Sequence, residues 1–397
     1  MKRTLINIAI LSTIIGTGVA QAGGFDVSGQ DTSIILKEGN LLEVTSVSVS
    51  PSVTGAYDAS TSGGVVTDVA PDYTFTNLAF RTDISDDISL AIIQDQPYGA
   101  KIKWNDGEPQ TGAGAVSYNG VQADIKSDAM TALISYSIAD NVTVYGGLKN
   151  QSISATASNP VVGGYSITSE ADSSMGYIVG AAVEKPEIAL KIALTYHSKV
   201  SHDLAISEDY LGAYYPSPAA STLSFNTPDA FNLDFQTGIA ANTLLFGTIR
   251  HVNWKQFELR PALYEKLTRT DPTSADSGAS LKKFDHNATT YTIGLGRKLS
   301  DQWSAAVTYG TESATGDDGS ALGPTDGFSK MGVGVTYTGE QMTVTLAVQK
   351  ANLGDTTIPS KLTSYTAGTP PTTTAISQVD MTGNTSLVTA VKVGYKF

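Results

Sequence analysis

The chain has 397 residues, no cysteine, and 25 basic against 38 acidic residues, which gives a formal net charge of -13 at pH 7. Such an acidic balance argues against a nucleic-acid partner, and the lack of cysteine excludes disulfides and thiolate metal sites. With 38 glycines and 16% charged residues, the composition favours β structure stabilised by backbone pairing.

Residues 1–22 have the three parts of a secretory signal peptide. Lys2 and Arg3 precede an apolar stretch over 5–19, and Ala-Gln-Ala then provides a cleavage site of small residues. The apolar stretch is shorter than the roughly 20 residues that a membrane-spanning helix needs. We therefore expect an exported mature chain that begins at Gly23, with a signal anchor as the alternative.

Residues 23–42 precede the first predicted strand and contain Phe25, Ile34, Ile35 and Leu36. The segment is too short to form a domain and too apolar for a free tail. We expect it to fold back as a short hatch inside the domain formed by the later residues. A disordered leader is the alternative.

From about residue 43 onward, apolar and small or polar side chains alternate with a period of two, as in strands with one apolar face. The clearest stretch is SKMGVGVTYTGEQMTVTLAVQK, in which Met331 and Val333 begin one run and Met342 begins the next. The pattern predicts fourteen strands, near 43–54, 72–82, 87–103, 124–138, 141–156, 175–184, 187–206, 224–239, 243–260, 283–299, 302–313, 328–339, 341–355 and 384–397.

The connections between these strands alternate strictly between tight turns and long polar loops. The long loops lie near 55–71, 104–123, 157–174, 207–223, 261–282, 314–327 and 356–383. We therefore predict an all-β fold, a transmembrane antiparallel β-barrel of about 14 strands over 43–397, with the tight turns on the periplasmic side and the long loops outside. A soluble β-sandwich or propeller is the alternative.

The third strand, in IIQDQPYGAKIKW, carries a proline and a glycine at Pro97 and Gly99, on either side of Tyr98. Proline cannot donate to the ladder and glycine weakens it, so the strand is expected to bend or bulge there. A gap in the barrel wall and a harmless bulge are both consistent with this. The alternation places Lys101 and Lys103 on the lumen side of the same strand.

The fourth long loop, in EDYLGAYYPSPAAS, contains Tyr210, Leu211, Tyr214 and Tyr215. Exposed aromatic and aliphatic residues in an external loop indicate either an apolar ligand or a loop that packs on its neighbour. The sequence does not separate these two interpretations.

The last strand, in TAVKVGYKF, ends the chain on an aromatic residue. Val391, Val393, Tyr395 and Phe397 form one face, and Lys392 lies on the other. The apolar face is predicted to contact lipid and the face with Lys392 to contact water. The strand is predicted to pair with the first strand and so to close the barrel.

His251, which lies near Asn253, is the one histidine that can be argued to act as a general base. A Ser-His hydrolase needs such a histidine to be positioned by a carboxylate or amide and to face a serine; a satisfied polar residue in the lumen is the alternative. The histidines are not clustered, so no metal site or cofactor is predicted.

Several blocks of the chain resemble the family of long-chain fatty acid transporters of Gram-negative outer membranes (FadL), which also includes transporters of aromatic hydrocarbons. The blocks are GGF at the mature start, VSVSPSVTG, YGAKIKW, LTYHSKVSHDL, NTPDAFNLDF, HVNWKQFEL and the terminal VKVGYKF. They cover most of the mature chain. The hatch departs from the family pattern, because it has about half the length expected of the family and lacks its Asn-Pro-Ala motif.

The resemblance implies a monomeric fourteen-stranded barrel, a hatch in the lumen, and an inward kink of the third strand that opens the wall sideways. Hydrophobic substrate would be captured between the third and fourth external loops and released into outer-membrane lipid through the opening, where Pro97 and Gly99 fall. Phe25 matches an apolar hatch residue of the family's inner pocket, and Lys283 is a tentative counterpart of its carboxylate-binding residues. The terminal Phe397, with Tyr395, would be presented to the barrel assembly machinery.

The functional hypothesis is passive uptake of hydrophobic molecules, most of all long-chain fatty acids, without chemistry on the ligand. A diffusion porin for small polar solutes is the second hypothesis. An outer-membrane hydrolase that uses His251 is the third.

Overall fold

The computed structural model describes residues 24–58, 64–105, 117–211, 219–269, 278–316, 318–359, 361–364, 372–375 and 378–397. The predicted signal peptide and two residues of the fourth loop, Tyr214 and Tyr215, lie outside these ranges. Among the described residues, no helix has both the length and the apolar character needed to cross a bilayer.

Fourteen antiparallel strands form a closed barrel, which confirms the predicted fold. Four of the strands are interrupted and are written as two segments, a and b. The strands are β1 (Leu41–Ser52), β2 (Tyr73–Asp83), β3a (Ile88–Asp95), β3b (Gly99–Lys103), β4 (Gln122–Ala139), β5 (Val142–Asn159), β6a (Tyr165–Ser169), β6b (Asp172–Lys185), β7a (Leu190–His197), β7b (Val200–Asp209), β8a (Ala219–Thr227), β8b (Ala230–Ala240), β9 (Thr243–Val252), β10 (Ala288–Lys298), β11 (Trp303–Glu312), β12 (Phe328–Thr338), β13 (Met342–Leu353) and β14 (Thr385–Lys396).

Short elements lie in the N-terminal segment, in one tight turn and in the long loops. The helical elements are 3-10 turns at Ser33–Leu36, Pro186–Ile188 and Trp254–Gln256 and one short helix, α1 (Ala262–Leu267). The additional short strands are Gly55–Tyr57, Val65–Val66, Glu258–Leu259, Lys282–Lys283, Thr356–Ile358, Lys361–Ser364, Thr372–Ala375 and Val379–Met381.

The two faces of the wall differ as the alternation requires. On β4, Met130 and Ile134 are 58% and 56% exposed, whereas the intervening Leu133 is 1% exposed. Exposed aromatic residues lie towards the ends of the apolar zone, among them Tyr136 and Trp303 near the tight turns. An outward apolar band with aromatic residues at its borders is the surface that a transmembrane barrel presents to lipid.

The closing seam joins β1 to β14 along their whole length, from Leu41 opposite Lys396 to Ser52 opposite Thr385. Inside the seam, Glu43 accepts from Lys392 Nζ at 2.9 Å and from Lys37 Nζ at 2.6 Å. The ladder therefore has no free edge at the closure, and the buried charges of the seam are paired.

The terminal Phe397 is tied to the start of the barrel. Its amide donates to Asn40 O at 3.2 Å, and its ring stacks on Phe80 with the centroids 6.1 Å apart.

We predict that deletion of Phe397 lowers the amount of inserted barrel, because the closing strand loses its last rung and its lipid-facing anchor. The heat-dependent shift of the folded barrel in gel electrophoresis measures this. Lys396→Ala is the control, and normal surface levels of the truncated chain would contradict the prediction.

The predicted bounds of the ninth and tenth strands are wrong. β9 ends at Val252 instead of 260, and β10 begins at Ala288 instead of 283. The alternating apolar residues between them, among them Phe257 and Leu259, belong to a loop that folds over the barrel mouth. We call the described part of this loop, residues 253–269, the lid.

Candidate transport pathway

An apolar cavity lies in the outer half of the barrel, directly below the lid. Its lining contains no charged side chain, and Ser169 is its single polar member. The cavity volume is about 20 Å³. The lining residues are Ile125, Ile153, Ala155, Ile167, Ser169, Leu204, Ile206, Leu223, Phe225, Phe257 and Leu259. Such a surface suits an uncharged hydrophobic ligand.

The lid is anchored by one buried carboxylate at the outer end of β7b. Glu208 is 1% exposed and accepts hydrogen bonds from the backbone amides of Leu263 and Tyr264, at 3.0 and 3.1 Å, at the start of α1. It also accepts from the hydroxyls of Tyr165 at 3.0 Å and Ser221 at 3.3 Å. A single side chain therefore connects the lid, the third external loop region and the β7–β8 hairpin.

We predict that Glu208→Ala loosens the lid without unfolding the barrel. Donors left unsatisfied by the loss of a buried acceptor cost about 1–3 kcal/mol, which corresponds to amide exchange faster by roughly 5-fold to 160-fold. Hydrogen exchange at Leu263 and Tyr264 measures the effect. Glu340→Ala, in an exposed tight turn, is the control, and unchanged exchange at both amides would contradict the proposed anchor.

Phe25, the predicted pocket residue, lies among the aromatic residues below the lid. It is 3% exposed, and its ring centroid lies 5.4 Å from that of Phe257, 5.3 Å from that of Phe284 and 6.1 Å from that of Trp254. Because Phe257 also lines the cavity, Phe25 is one ring away from the cavity lining.

The hatch, residues 24–40, lies inside the barrel and is held by side chains from several strands. Arg250 on β9 binds Asp26 through Nε and Nη2, the latter 3.1 Å from Oδ1. Further bonds run from Asn232 Nδ2 to Gly29 O (3.1 Å) and from Lys149 Nζ to the side chain of Gln30 (2.9 Å). These buried polar groups of the lumen and of the hatch thus satisfy each other.

The third strand is interrupted where the sequence predicts a bend. Asp95 pairs with Ala129, and Gly99 pairs with Lys126. Three residues, 96–98, therefore face two residues, 127–128, and the extra residue makes a bulge that reverses which residues face the lumen.

This reversal corrects the prediction for two lysines. Lys101 and Lys103 are exposed, whereas the intervening Ile102 is 2% exposed and Ala100 is 8% exposed. The predicted lumen orientation of both lysines is wrong, because the alternation was continued through a point where one residue is inserted.

The hatch is the hydrogen-bond partner of the interrupted strand. Val27 N donates to Pro97 O at 2.9 Å, and Gly99 N donates to Phe25 O at 2.8 Å. The opposite edge of the interruption stays on β4, because Tyr98 N and O both bond to the Ser127 hydroxyl, at 2.8 and 2.7 Å. The hatch therefore takes the position that β2 would hold in an uninterrupted barrel.

Next to the interruption the wall has a gap, which we call the β2–β3 gap. The ladder between these strands stops at Leu78 opposite Gln94, although β2 stays paired with β1 as far as Tyr73. Within described residues 64–105, no backbone pairing joins 73–77 to β3b. The edges meet again only where Lys103 N donates to Val69 O at 2.9 Å.

The described residues of the fourth loop pack on the third. A Cβ on Gly163 would lie 2.2 Å from the ring of Tyr210, and a Cβ on Gly164 would lie 2.4 Å from Leu211 Cδ1, so both glycines permit a close approach. Leu211 is nevertheless 89% exposed. The interpretation of a loop that packs on its neighbour therefore applies to this pair, and Leu211 in addition presents an apolar surface outside.

The structure places the predicted Lys283 and its neighbour Lys282 in different surroundings. Lys283 is exposed and pairs with Asp285 at 2.9 Å. Its neighbour Lys282 instead lies with Nζ 4.5 Å from the ring centroid of Phe284, one of the rings around Phe25. Burial lowers the pKa of Lys282 to about 8, against a smaller opposing effect of Asp285.

Among the described residues, His251 lacks the orienting partner that the hydrolase hypothesis requires. It faces outward on β9 beside Phe231, and its Nδ1 lies 2.7 Å from the hydroxyl of Thr289. Thr289 is neither a carboxylate nor an amide, so the arrangement lacks the group that orients a general base. The alternative interpretation of a lumen residue is also wrong, because Arg250 and Val252 take the inward positions.

A closed fourteen-stranded barrel with an apolar exterior, a hatch in its lumen and a gap in its wall is an outer-membrane channel of the transport class. A family model described as outer membrane protein transport protein (OMPP1/FadL/TodX) matches residues 33–397. The chain belongs to this family, as the sequence resemblance predicted.

Solved structures show the same fold. A Pseudomonas aeruginosa FadL homologue has a TM-score of 0.71 at 14% identity, over 97% of this chain and 98% of that one. The Pseudomonas putida toluene transporter TodX has a TM-score of 0.60 at 11% identity, over 97% and 100%. The Ralstonia pickettii toluene transporter TbuX has a TM-score of 0.59 at 12% identity, over 97% of both chains. No curated protein matches the chain.

Proposed function

We propose that this protein takes up hydrophobic molecules passively and releases them sideways into the outer membrane. The observation that carries the proposal is the apolar cavity, whose lining has no charged residue. Burial of apolar surface at about 25 cal/mol per Å² supplies the driving force for capture. No chemistry on the ligand is required.

The proposed route runs from the exposed Leu211 at the external loops to the cavity, past Phe25, and out through the β2–β3 gap. Three features support it: the cavity and Phe25 share Phe257 as a neighbour, the backbone of Phe25 pairs with Gly99, and the wall lacks its ladder beside Gly99. The hatch fills the lumen below, which argues against a porin for polar solutes.

The lining favours an uncharged substrate, such as an aromatic or aliphatic hydrocarbon. An ionised carboxylate placed in this cavity would lack a partner, and burying such a charge is costly. The solved toluene transporters of the family are consistent with this class.

A long-chain fatty acid is the second candidate, and Lys282 is the observation that favours it. A chain buried in the cavity with its head towards Phe284 would bring the carboxylate towards this ammonium group. Binding of a fatty acid, unlike binding of a hydrocarbon, would therefore depend on the Lys282 side chain and on its protonation.

The pH dependence of binding distinguishes the two candidates. Lys282 has its pKa lowered to about 8 and loses its charge as the pH rises through that value. If Lys282 binds the carboxylate, fatty acid affinity falls by about tenfold between pH 7 and pH 9. Toluene binding stays constant over the same range.

Fluorescence or calorimetric titration of the purified barrel, combined with uptake into vesicles, measures both ligands. Lys282→Met removes the pH dependence for fatty acid, and Lys283→Met is the matched control. If neither ligand binds and vesicles with the protein take up neither faster than vesicles with an unrelated barrel, the proposed function is wrong. If toluene binds and fatty acid does not, the second candidate is excluded.

A further inference from the structure

The wall contains a second interruption of the ladder, between β6 and β7, which we call the β6–β7 window. Below it, on the side of the tight turns, Ile178 pairs with His197. The last rung there is the hydrogen bond from Ser198 N to Tyr177 O at 2.9 Å. Above it, pairing resumes at Glu170 N to Ala205 O, 3.0 Å. Throughout described residues 117–211, no backbone bond joins the strands between these two rungs.

The window follows from two bends at different heights. β7 is interrupted at 198–199 and β6 at 170–171, and each bend reverses which residues face the lumen. Between the bends the inward residues have even numbers on both strands, as at Gly176 and Val200. In the ladders below and above the window, every even-numbered residue pairs with an odd-numbered residue. Two strands whose inward residues both have even numbers are therefore out of phase in this register, and they cannot pair between the bends.

Side chains close the window instead of backbone. His202 Nδ1 donates to Asp172 Oδ2 at 2.7 Å across it, with the two side chains 0% and 26% exposed. Val200 covers Gly176, where an added Cβ would lie 2.8 Å from Val200 Cγ2. One hydrogen bond and one apolar contact thus replace the missing rungs.

The inner side of the window borders the apolar cavity. The ring of His202 stacks on that of Phe225 with the centroids 5.6 Å apart, and Phe225 lines the cavity. Leu204, two residues along β7b on the same face, is also a lining residue and is 1% exposed. If His202 moved away from Asp172, the cavity would connect to the outside of the barrel.

The outer side of the window opens on a groove of about 530 Å³ at the upper border of the apolar band. Its wall includes Met175 and Tyr177, 56% and 49% exposed, and Tyr196. Tyr196 packs on Phe231 with the centroids 4.9 Å apart, so these rings belong to the aromatic border where barrels meet the lipid headgroups. Lys199 and Ser201 continue the groove beyond this border.

We propose that the β6–β7 window is a second lateral port, through which an uncharged hydrophobic molecule dissolved in the outer leaflet reaches the apolar cavity. The pair His202 and Asp172 keeps the port closed. The proposal rests on the proposed function for its substrate class, but the opening itself can be measured without transport.

The first experiment measures the opening directly. The chain has no cysteine, so Leu204→Cys introduces a single thiol on the cavity wall. The reconstituted barrel is labelled with N-phenylmaleimide supplied from the bilayer and, separately, with a charged maleimide supplied in water. Asp172→Ala is expected to speed labelling from the bilayer by about tenfold, the effect of losing a hydrogen bond to a charged group. Labelling from water stays unchanged.

Two variants make this result specific. Asp172→Asn keeps an acceptor for His202 and restores the slow rate. Asp124→Ala removes an outward aspartate at a site where the ladder is complete on both sides, and it leaves the rate unchanged. Equal bilayer labelling in Asp172→Ala and the parent would overturn the port, and so would a rise for both reagents, which would indicate general loosening.

The second experiment measures passage. Met175→Cys and Ser201→Cys lie on opposite rims of the groove, and a short bifunctional maleimide between them closes the window. Crosslinking is expected to lower toluene uptake severalfold, while the control pair Ala181→Cys and Leu194→Cys, neighbours in an intact ladder, has no effect. Equal uptake in both crosslinked pairs overturns the port and leaves the proposed function intact. Absent uptake in the parent overturns the proposed function, and the labelling result then decides whether the window opens.

Discussion

Deletion of Pro97 is expected to reduce uptake of a hydrophobic substrate by more than about tenfold while the barrel still assembles. The deletion removes the one extra residue opposite 127–128, so β3a and β3b join in a single register on β4. The rejoined strand can then pair with the free edge of β2 at 73–77. Passage through a complete ladder would require breaking several backbone hydrogen bonds of about 0.5–1.5 kcal/mol each.

The matched control is Pro97→Ala, which changes the same residue but keeps the residue count and hence the bulge. Uptake into vesicles is compared for the two variants and the parent, with the electrophoretic shift of the folded barrel as the measure of assembly. Parental uptake in the deletion variant would exclude lateral release through the β2–β3 gap. Equal loss in both variants would assign the effect to the proline and not to the inserted residue.

The architecture was predictable because it depends on a local pattern. Alternation of apolar and polar residues repeats in every strand, and the lengths of the connections separate one rim of the barrel from the other. Even the interruption of β3 left a signal, since Pro97 and Gly99 weaken a ladder wherever they occur. The same pattern failed at Lys101 and Lys103, because the alternation does not state how many residues the neighbouring strand places opposite a bulge.

The site was less predictable because its contacts join residues that are distant in sequence. Glu208 binds an amide 55 residues away, and Arg250 binds an aspartate 224 residues away. Neither side chain differs locally from an ordinary polar residue of a strand. The sequence could not separate Lys282 from Lys283 for a similar reason. Two adjacent residues of a short strand point in opposite directions, and only the surrounding residues decide which one approaches the aromatic cluster.

Arg250→Met is expected to convert a closed barrel into a conducting one. Arg250 is 7% exposed, bonds to Asp26 of the hatch, and donates through Nη1 to Asn232 Oδ1 at 2.7 Å. Removing one partner of a buried ion pair costs about 3–5 kcal/mol, because the other charge is left without compensation. Asp26 can avoid this cost by reaching water, which requires the hatch to leave its position beside Pro97.

Single-channel recording in planar bilayers measures the result. The parent is expected to show little steady conductance, and Arg250→Met is expected to show frequent or lasting open levels. Asp26→Asn should lie between the two, since the amide retains a hydrogen bond to Arg250 without the charge. Arg297→Met, which removes an exposed arginine near a tight turn, is the control. A closed record for Arg250→Met would show that the remaining bonds, from Lys149 and Asn232, suffice to hold the hatch, whereas strong conductance in the parent would favour the diffusion porin.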